Sequence, residues 1–234
     1  MEIKSWVGSP RMEGLLGEEV LAVRIDVEDQ PFHFLPGQFI GIGHESLKNQ
    51  WQYYSIASRP GQHQGFDLCV SRQGWQRLET TFDQAKPKVQ IVGPAGSLLL
   101  PSVIDHKLVF IATGTGVAPF RSMIHYLHQE QIPHQGIHLI FGAKDEKAIL
   151  YRDEFEQLVT EMPGFEYDIV LSRQPQWNGH KGRVRDVYMS IYNQPETSIL
   201  FYFCGWNEMI KTAIADLTET IGFSKDQLIY EIYE

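Results

Sequence analysis

The sequence predicts a two-domain β plus α/β fold: an antiparallel β-barrel over residues 1–101 and a doubly wound parallel-sheet domain over residues 102–234. Two observations carry this. Through the first hundred residues, short segments alternate apolar and polar positions between Gly- and Pro-rich breaks, as in a small antiparallel barrel. Beyond Pro101, apolar runs alternate with helix-length segments, as in a parallel sheet covered on both faces.

In order, Leu21, Val23, Ile25 and Val27 alternate with Arg24 and Asp26. Phe66, Leu68 and Val70 alternate with Asp67 and Cys69, and Val89 and Ile91 with Lys88 and Gln90. The rhythm then changes. Leu108-Val109-Phe110-Ile111-Ala112 is continuously apolar, and a helical stretch runs from Val117 to about Gln129. Strand-like and helix-like segments alternate again at 138–141, 155–162, 167–171, 199–203 and 208–221. The domain boundary is expected between Pro101 and His106.

Composition bounds the function. A formal charge of −9 disfavours a nucleic-acid binder, which needs a basic face, although it leaves room for a local basic patch. Two cysteines, Cys69 and Cys204, are too few for a disulfide framework or for an iron–sulfur cluster held by about four thiolates. No apolar run approaches the ~20 residues of a membrane span, and Met1-Glu2-Ile3-Lys4-Ser5-Trp6 has no signal-peptide pattern, so a cytoplasmic protein is the expectation. His125 and His128 lie three apart on a predicted helix, but nothing nearby completes a metal site, and no metal is expected.

Three segments can carry chemistry. Gly114-Thr115-Gly116-Val117-Ala118-Pro119 follows the buried strand and opens a helix, where glycines admit a pyrophosphate to unpaired N–H groups. A Gly-x-Gly alone also suits a structural tight turn. Ser172-Arg173 ends a predicted strand, with Lys181-Gly182-Arg183 following. Ligands bind at such strand ends, and two guanidinium groups there can fork onto a phosphate; a solvated basic loop is the plainer alternative. Gln52-Tyr53-Tyr54-Ser55, after Pro36-Gly37-Gln38-Phe39, offers a tyrosine ring and a hydroxyl, which can serve a flat cofactor or simple packing.

Taken in order with Gly93-Pro94-x-Gly96, Cys204-Gly205 and Glu231-x-Tyr233, these segments resemble the ferredoxin–NADP reductase family from about Leu21 to the C-terminus. The resemblance implies six barrel strands and a five-stranded parallel sheet. It also implies FAD (FMN in some members) in the barrel and NADP(H), or NAD(H), in the second domain. Residue by residue, it places Tyr54 on the isoalloxazine and Ser55 beside flavin N5. Gly114, Thr115 and Gly116 fall under the pyrophosphate of the nicotinamide nucleotide. Ser172, Arg173 and Arg183, with Lys144 where several members carry arginine, fall around the adenosine 2′-phosphate. Cys204 lies near the nicotinamide, Glu231 is the C-terminal acid, and Tyr233 is the aromatic shielding the flavin. Ser55, Cys204, Glu231 and Tyr233 form the implied catalytic set.

Two departures stand out. Where the family has Arg-x-Tyr-Ser/Thr, with the arginine on a flavin phosphate, this chain has Gln52, which supplies hydrogen bonds but no charge. Arg77, in Gly74-Trp75-Gln76-Arg77, is the expected substitute. Tyr233 is followed by Glu234, whereas plant-type members end on the aromatic. The leading expectation is hydride transfer from NADPH to FAD, with electrons passed to a separate ferredoxin or flavodoxin. The alternatives are a flavin reductase or oxygenase reductase component, and a nucleotide-sensing module that has lost its flavin.

Overall fold

The computed structural model describes residues 5–28, 31–43, 51–80 and 87–233, without the side chain of Tyr233. They form two compact units. One comprises Met1–Leu100 with Ala118–Glu130, and the other Pro101–Val117 with Gln131–Glu234.

The first unit is built on six strands, β1 (Ser5–Gly17), β2 (Val20–Val27), β3 (Phe39–Gly43), β4 (Gln52–Ser55), β5 (Phe66–Ser71) and β6 (Val89–Ala95), in the order β4-β3-β6-β1-β2-β5. Every pairing is antiparallel. An Ile56–Leu68 bridge brings the two outer strands together and closes the barrel. Its core follows the period-two pattern: Leu21, Val23, Ile25 and Val27 point inward with Ile40, Ile42, Phe66, Leu68, Val70 and Ile91. Strand β1 has no such signature. Gly8, Pro10 and Gly14 interrupt its alternation, and irregularities between Met12 and Gly14 and between Leu15 and Gly17 reset its register on β2. The segment with Gly74 and Arg77 forms an eight-residue helix, α1 (Arg72–Glu79), capped by the Ser71 hydroxyl on the Gly74 N–H. Helix α2 (Ala118–Gln129) belongs to this unit: Arg121 Nη1 donates to Ala57 O at 2.8 Å and Ser122 Oγ to Ser58 O at 2.6 Å.

The second unit holds β7 (Lys107–Thr113), β8 (Ile137–Ala143), β9 (Phe165–Leu171), β10 (His180–Lys181), β11 (Ile199–Trp206) and β12 (Leu228–Tyr233). All pair in parallel in the order β10-β9-β8-β7-β11-β12, so the sheet has six strands rather than the five expected. Neither β10 nor β12 is among the apolar runs read from the sequence, and the two residues of β10, between Gly179 and Gly182, are too short to show any periodicity. Helix α3 (Arg152–Glu161) packs Phe155 against Phe165 and Tyr167. On the opposite face, α4 (Val184–Ile191) and α5 (Asn207–Ala215) contribute Val187, Tyr188, Ile210 and Ala213 to a core with Val109, Ile111, Val170, Phe201 and Phe203. The sheet is therefore doubly wound. Among the described residues no helix is long and apolar enough to cross a membrane.

Candidate functional site

In the second unit, β7 runs out at Thr113 into a 3-10 turn, Gly114–Val117. Its glycines serve different ends. Gly114 has φ 54°, and a Cβ there would meet nothing within 4 Å, so its backbone faces open space. A Cβ on Gly116 would lie 2.2 Å from the Cys204 carbonyl oxygen, so this residue lets the turn pack directly on β11. Thr115 lies half-buried between them. Beside the turn, the hydroxyl of Thr113 and the side-chain oxygen of Asn207 are buried with no hydrogen-bond partner among the described residues. Buried polar atoms are nearly always paired, so these two orphans at the ends of β7 and β11 fit a hydrogen-bonding ligand. The sequence reading missed both, although each adjoins a glycine motif.

Cys204 and Glu231 are brought together: they are partners in the β11–β12 ladder, as are Trp206 and Tyr233. Cys204 is fully buried, Glu231 is half-buried, and Trp206 stands 74% exposed at the strand end. The Tyr233 backbone lies in β12, but its side chain lies outside the described residues.

The basic residues gather at the neighbouring strand ends. Arg173 N donates to Lys144 O at 2.8 Å, and Ser172 N to Ala143 O at 3.0 Å, which sets the β9 exit against the β8 exit. On its other side Lys181 pairs with Leu171, and Gly182 N donates to Leu171 O at 3.0 Å, which delivers Arg183 to the same edge. Arg183 then precedes α4, its backbone N–H donating to Asp186 Oδ2 at 2.8 Å. Lys144, Arg173, Lys181 and Arg183 are exposed, and none forms an ion pair among the described residues. In a chain of net charge −9, these four cations at one edge could hold an anion.

In the first unit, β4 places Gln52 and Tyr54 on one face and the buried Ser55 on the other. Tyr54 donates its hydroxyl to Gln52 Oε1 at 2.8 Å. Burial pushes the Tyr54 phenol up to about 12, opposed by the nearby Arg77 guanidinium, so it stays protonated and keeps that bond at neutral pH. A Cβ on Gly74 would come within 3.3 Å of the Tyr54 hydroxyl and 3.1 Å of Ser71 Oγ. The Gln52 carboxamide, the glycine-lined opening of α1 and the Arg77 cation thus converge, and they fit the phosphate of a flavin nucleotide.

A barrel with a cation-flanked tyrosine, together with a parallel sheet bearing a glycine turn and a basic strand end, defines a flavin- and nicotinamide-nucleotide-using oxidoreductase. Residues 110–214 match the oxidoreductase NAD-binding domain family. The chain is 30% identical over 190 residues to ferredoxin–NADP reductase B of Sorangium cellulosum, covering 77% of each chain. It is 28% identical over 217 residues to the phenol hydroxylase P5 protein of Acinetobacter pittii, covering 90% of this chain but 61% of that one. Among solved structures, a cytochrome P450 reductase of Amycolatopsis superposes with TM-score 0.84 at 20% identity, covering 98% of this chain and 70% of that one. The cytochrome b5 reductase domain of Ulva prolifera nitrate reductase gives 0.81 at 20% identity, over 97% of both chains. The chain belongs to the ferredoxin–NADP reductase family, whose members are flavin-dependent reductases that use FAD and NADP(H).

Proposed function

We propose that the chain oxidises NADPH through bound FAD and passes the electrons to a separate carrier protein such as ferredoxin or flavodoxin. The observation that carries the nucleotide assignment is the unpaired cationic edge of Lys144, Arg173, Lys181 and Arg183, with the Ser172 hydroxyl among them. A guanidinium pair gains from a dianionic 2′-phosphate and has little to offer the 2′-hydroxyl of NADH. The 30% identity to a ferredoxin–NADP reductase over most of both chains supports the carrier half of the reading.

Bound FAD would supply the redox chemistry, accepting hydride from the nicotinamide and releasing electrons singly or in pairs. The chain's own residues bind and orient. The Gly114–Gly116 turn takes the nucleotide pyrophosphate, and Thr113 and Asn207 offer hydrogen bonds beside it. Tyr54 presents its ring to the flavin, with Gln52 and Arg77 holding the phosphate. The family pattern assigns Ser55, in the first unit, to flavin N5, and Cys204 and Glu231, in the second, to the nicotinamide and to proton transfer. Shielding of the flavin by Tyr233 is assigned from the family pattern.

An absorption spectrum of the purified chain before and after anaerobic NADPH tests the first step. Flavin bands that bleach on addition are expected; a colourless protein that takes up no added FAD would overturn the reading. A second reading, a reductase component serving an oxygenase, is favoured by the similarity to the phenol hydroxylase P5 protein over 90% of the chain. Steady-state rates separate the two: ferredoxin or flavodoxin reduction with NADPH supports the first, and NADH preference without carrier reduction the second.

A further inference from the structure

We infer that Asp168 and His180 are positioning residues for nucleotide selection, their contact pinning the short strand β10 so that Lys181 and Arg183 stand beside Ser172 and Arg173. This rests on the reading of that strand end as the 2′-phosphate site. With only two residues, β10 makes two ladder pairs with β9, His180 with Val170 and Lys181 with Leu171. Both of its side chains are exposed, so no core burial holds it down. The segment is fastened at its far end, where Gly182 turns with φ 107° and Arg183 N–H donates to Asp186. At its near end the side-chain fastening is His180 Nε2 to Asp168 Oδ1, at 3.2 Å.

Asp168 is itself fixed from inside the sheet. Its other oxygen meets Nε2 of the buried His138 at 3.0 Å, and His138 Nδ1 meets the Tyr192 hydroxyl at 2.6 Å. The ionised Asp168 carboxylate can only accept, so His138 Nε2 donates to it, while the Tyr192 hydroxyl hydrogen-bonds Nδ1 from the core side. The His138 hydrogen bond holds the Asp168 carboxyl below the usual carboxylate range, with His180 adding to the effect. A chain of contacts therefore runs from Tyr192 in the core, through β8 and β9, to His180 at the edge. Its outermost link is an exposed side-chain contact, and such contacts add little to global stability. What depends on it is the local order of a two-residue edge strand, where opening free energies are smallest. That strand carries Lys181 and leads through Gly182 to Arg183, two of the four unpaired cations.

The test uses the full chain with FAD bound and the variants His180→Ala, His180→Gln, Asp168→Ala and Arg183→Ala. Michaelis constants and kcat are measured for NADPH and NADH, together with amide hydrogen exchange of peptides spanning residues 179–184. His180→Ala should raise KM for NADPH about fivefold, the scale of one hydrogen bond, with kcat and KM for NADH unchanged. Exchange at Gly182 should quicken, and His180→Gln, which keeps an N–H donor, should recover part of the loss. Asp168→Ala should match His180→Ala, and combining them should add nothing. If Asp168→Ala keeps full NADPH affinity, His180 acts by touching the nucleotide itself and the positioning role fails. If Asp168→Ala does not fold, exchange in the exposed His180→Ala variant decides: unchanged protection at Gly182 overturns the inference. Discrimination lost in Arg183→Ala but kept in His180→Ala refutes the positioning alone. Discrimination kept in Arg183→Ala overturns the reading of the strand end and, with it, this inference.

Discussion

The two glycines of the β7 turn should respond to the same substitution in opposite ways. At Gly116, an alanine Cβ would sit 2.2 Å from Cys204 O, 2.6 Å from its carbonyl carbon and 2.9 Å from Gly205 N. All three are backbone atoms of β11, which is bonded on both sides to β7 and β12, so the strand cannot retreat without breaking a ladder. Overpacking of this kind costs about 1–3 kcal/mol, and Gly116→Ala should lower Tm by about 2–12 °C. At Gly114 a Cβ meets nothing within 4 Å, and the cost is the φ of 54° alone. That is about 1–2 kcal/mol for a residue held in the left-handed region, partly offset by ~0.4–1 kcal/mol from a less flexible unfolded chain. Gly114→Ala should therefore fold almost normally. Its methyl group, however, projects into the space assigned to the pyrophosphate, so KM for both NADPH and NADH should rise together, by about tenfold if one phosphate hydrogen bond is lost. Differential scanning fluorimetry and steady-state kinetics on the two variants check this. A Gly114→Ala protein as destabilised as Gly116→Ala, or one with unchanged Michaelis constants, would refute the division of labour.

Three further outcomes follow from the same geometry. NADPH should be preferred over NADH by about one to two orders of magnitude in kcat/KM, and Arg173→Ala should remove most of that preference by raising the NADPH KM; equal use of the two nucleotides by the wild type would sink the proposal. Gln52→Arg should tighten FAD binding about tenfold by fluorescence titration, since a charge-assisted phosphate contact of ~1.5–3 kcal/mol outweighs the ~1 kcal/mol bond lost when the Tyr54 hydroxyl no longer has Gln52 Oε1 as acceptor; unchanged affinity would mean that Arg77 already supplies the charge. Asp216 accepts both Arg185 Nε (2.6 Å) and the Tyr188 hydroxyl (2.8 Å), and the Arg185 bond holds its carboxyl below the usual range. The stability it contributes is present above the ordinary carboxylate pKa and lost as pH falls through the lower folded value, so Asp216→Asn should be less stable than wild type at pH 7 and converge with it in acid; parallel denaturation curves at both pH values would contradict this.

Much of this was legible in the residues, for identifiable reasons. Strand β2 and the buried run of β7 announce themselves because burial on one face gives period two and burial on both gives continuity, and the barrel and parallel-sheet classes follow. What escaped was set by neighbours rather than by local pattern. Strand β1 owes its existence to pairing with β2 and β6 despite its glycines and proline. Helix α1 hides behind Gly74, a poor helix former placed where a side chain would crowd the Tyr54 hydroxyl. Strand β10 needs Leu171 as its acceptor before it exists at all. Thr113 and Asn207 carry no motif of their own, and only the absence of a partner for a buried oxygen marks them.

Charge shows why the site had to be read from the fold rather than from composition. The chain carries 29 acidic and 20 basic residues, and an average over the surface would repel a nucleotide phosphate. The acids near the basic edge, however, are already engaged. Asp168 is held between two histidines, Asp186 accepts the backbone of Arg183, and Asp216 is committed to Arg185 and Tyr188. With those carboxylates turned to other partners, Lys144, Arg173, Lys181 and Arg183 form no ion pair among the described residues. Remote exposed charges are screened beyond about 10 Å at ordinary ionic strength, so the local arrangement outweighs the net −9. On the proposed reading, selection of a phosphorylated nucleotide depends on which charges stand at the strand end rather than on the net charge of the chain.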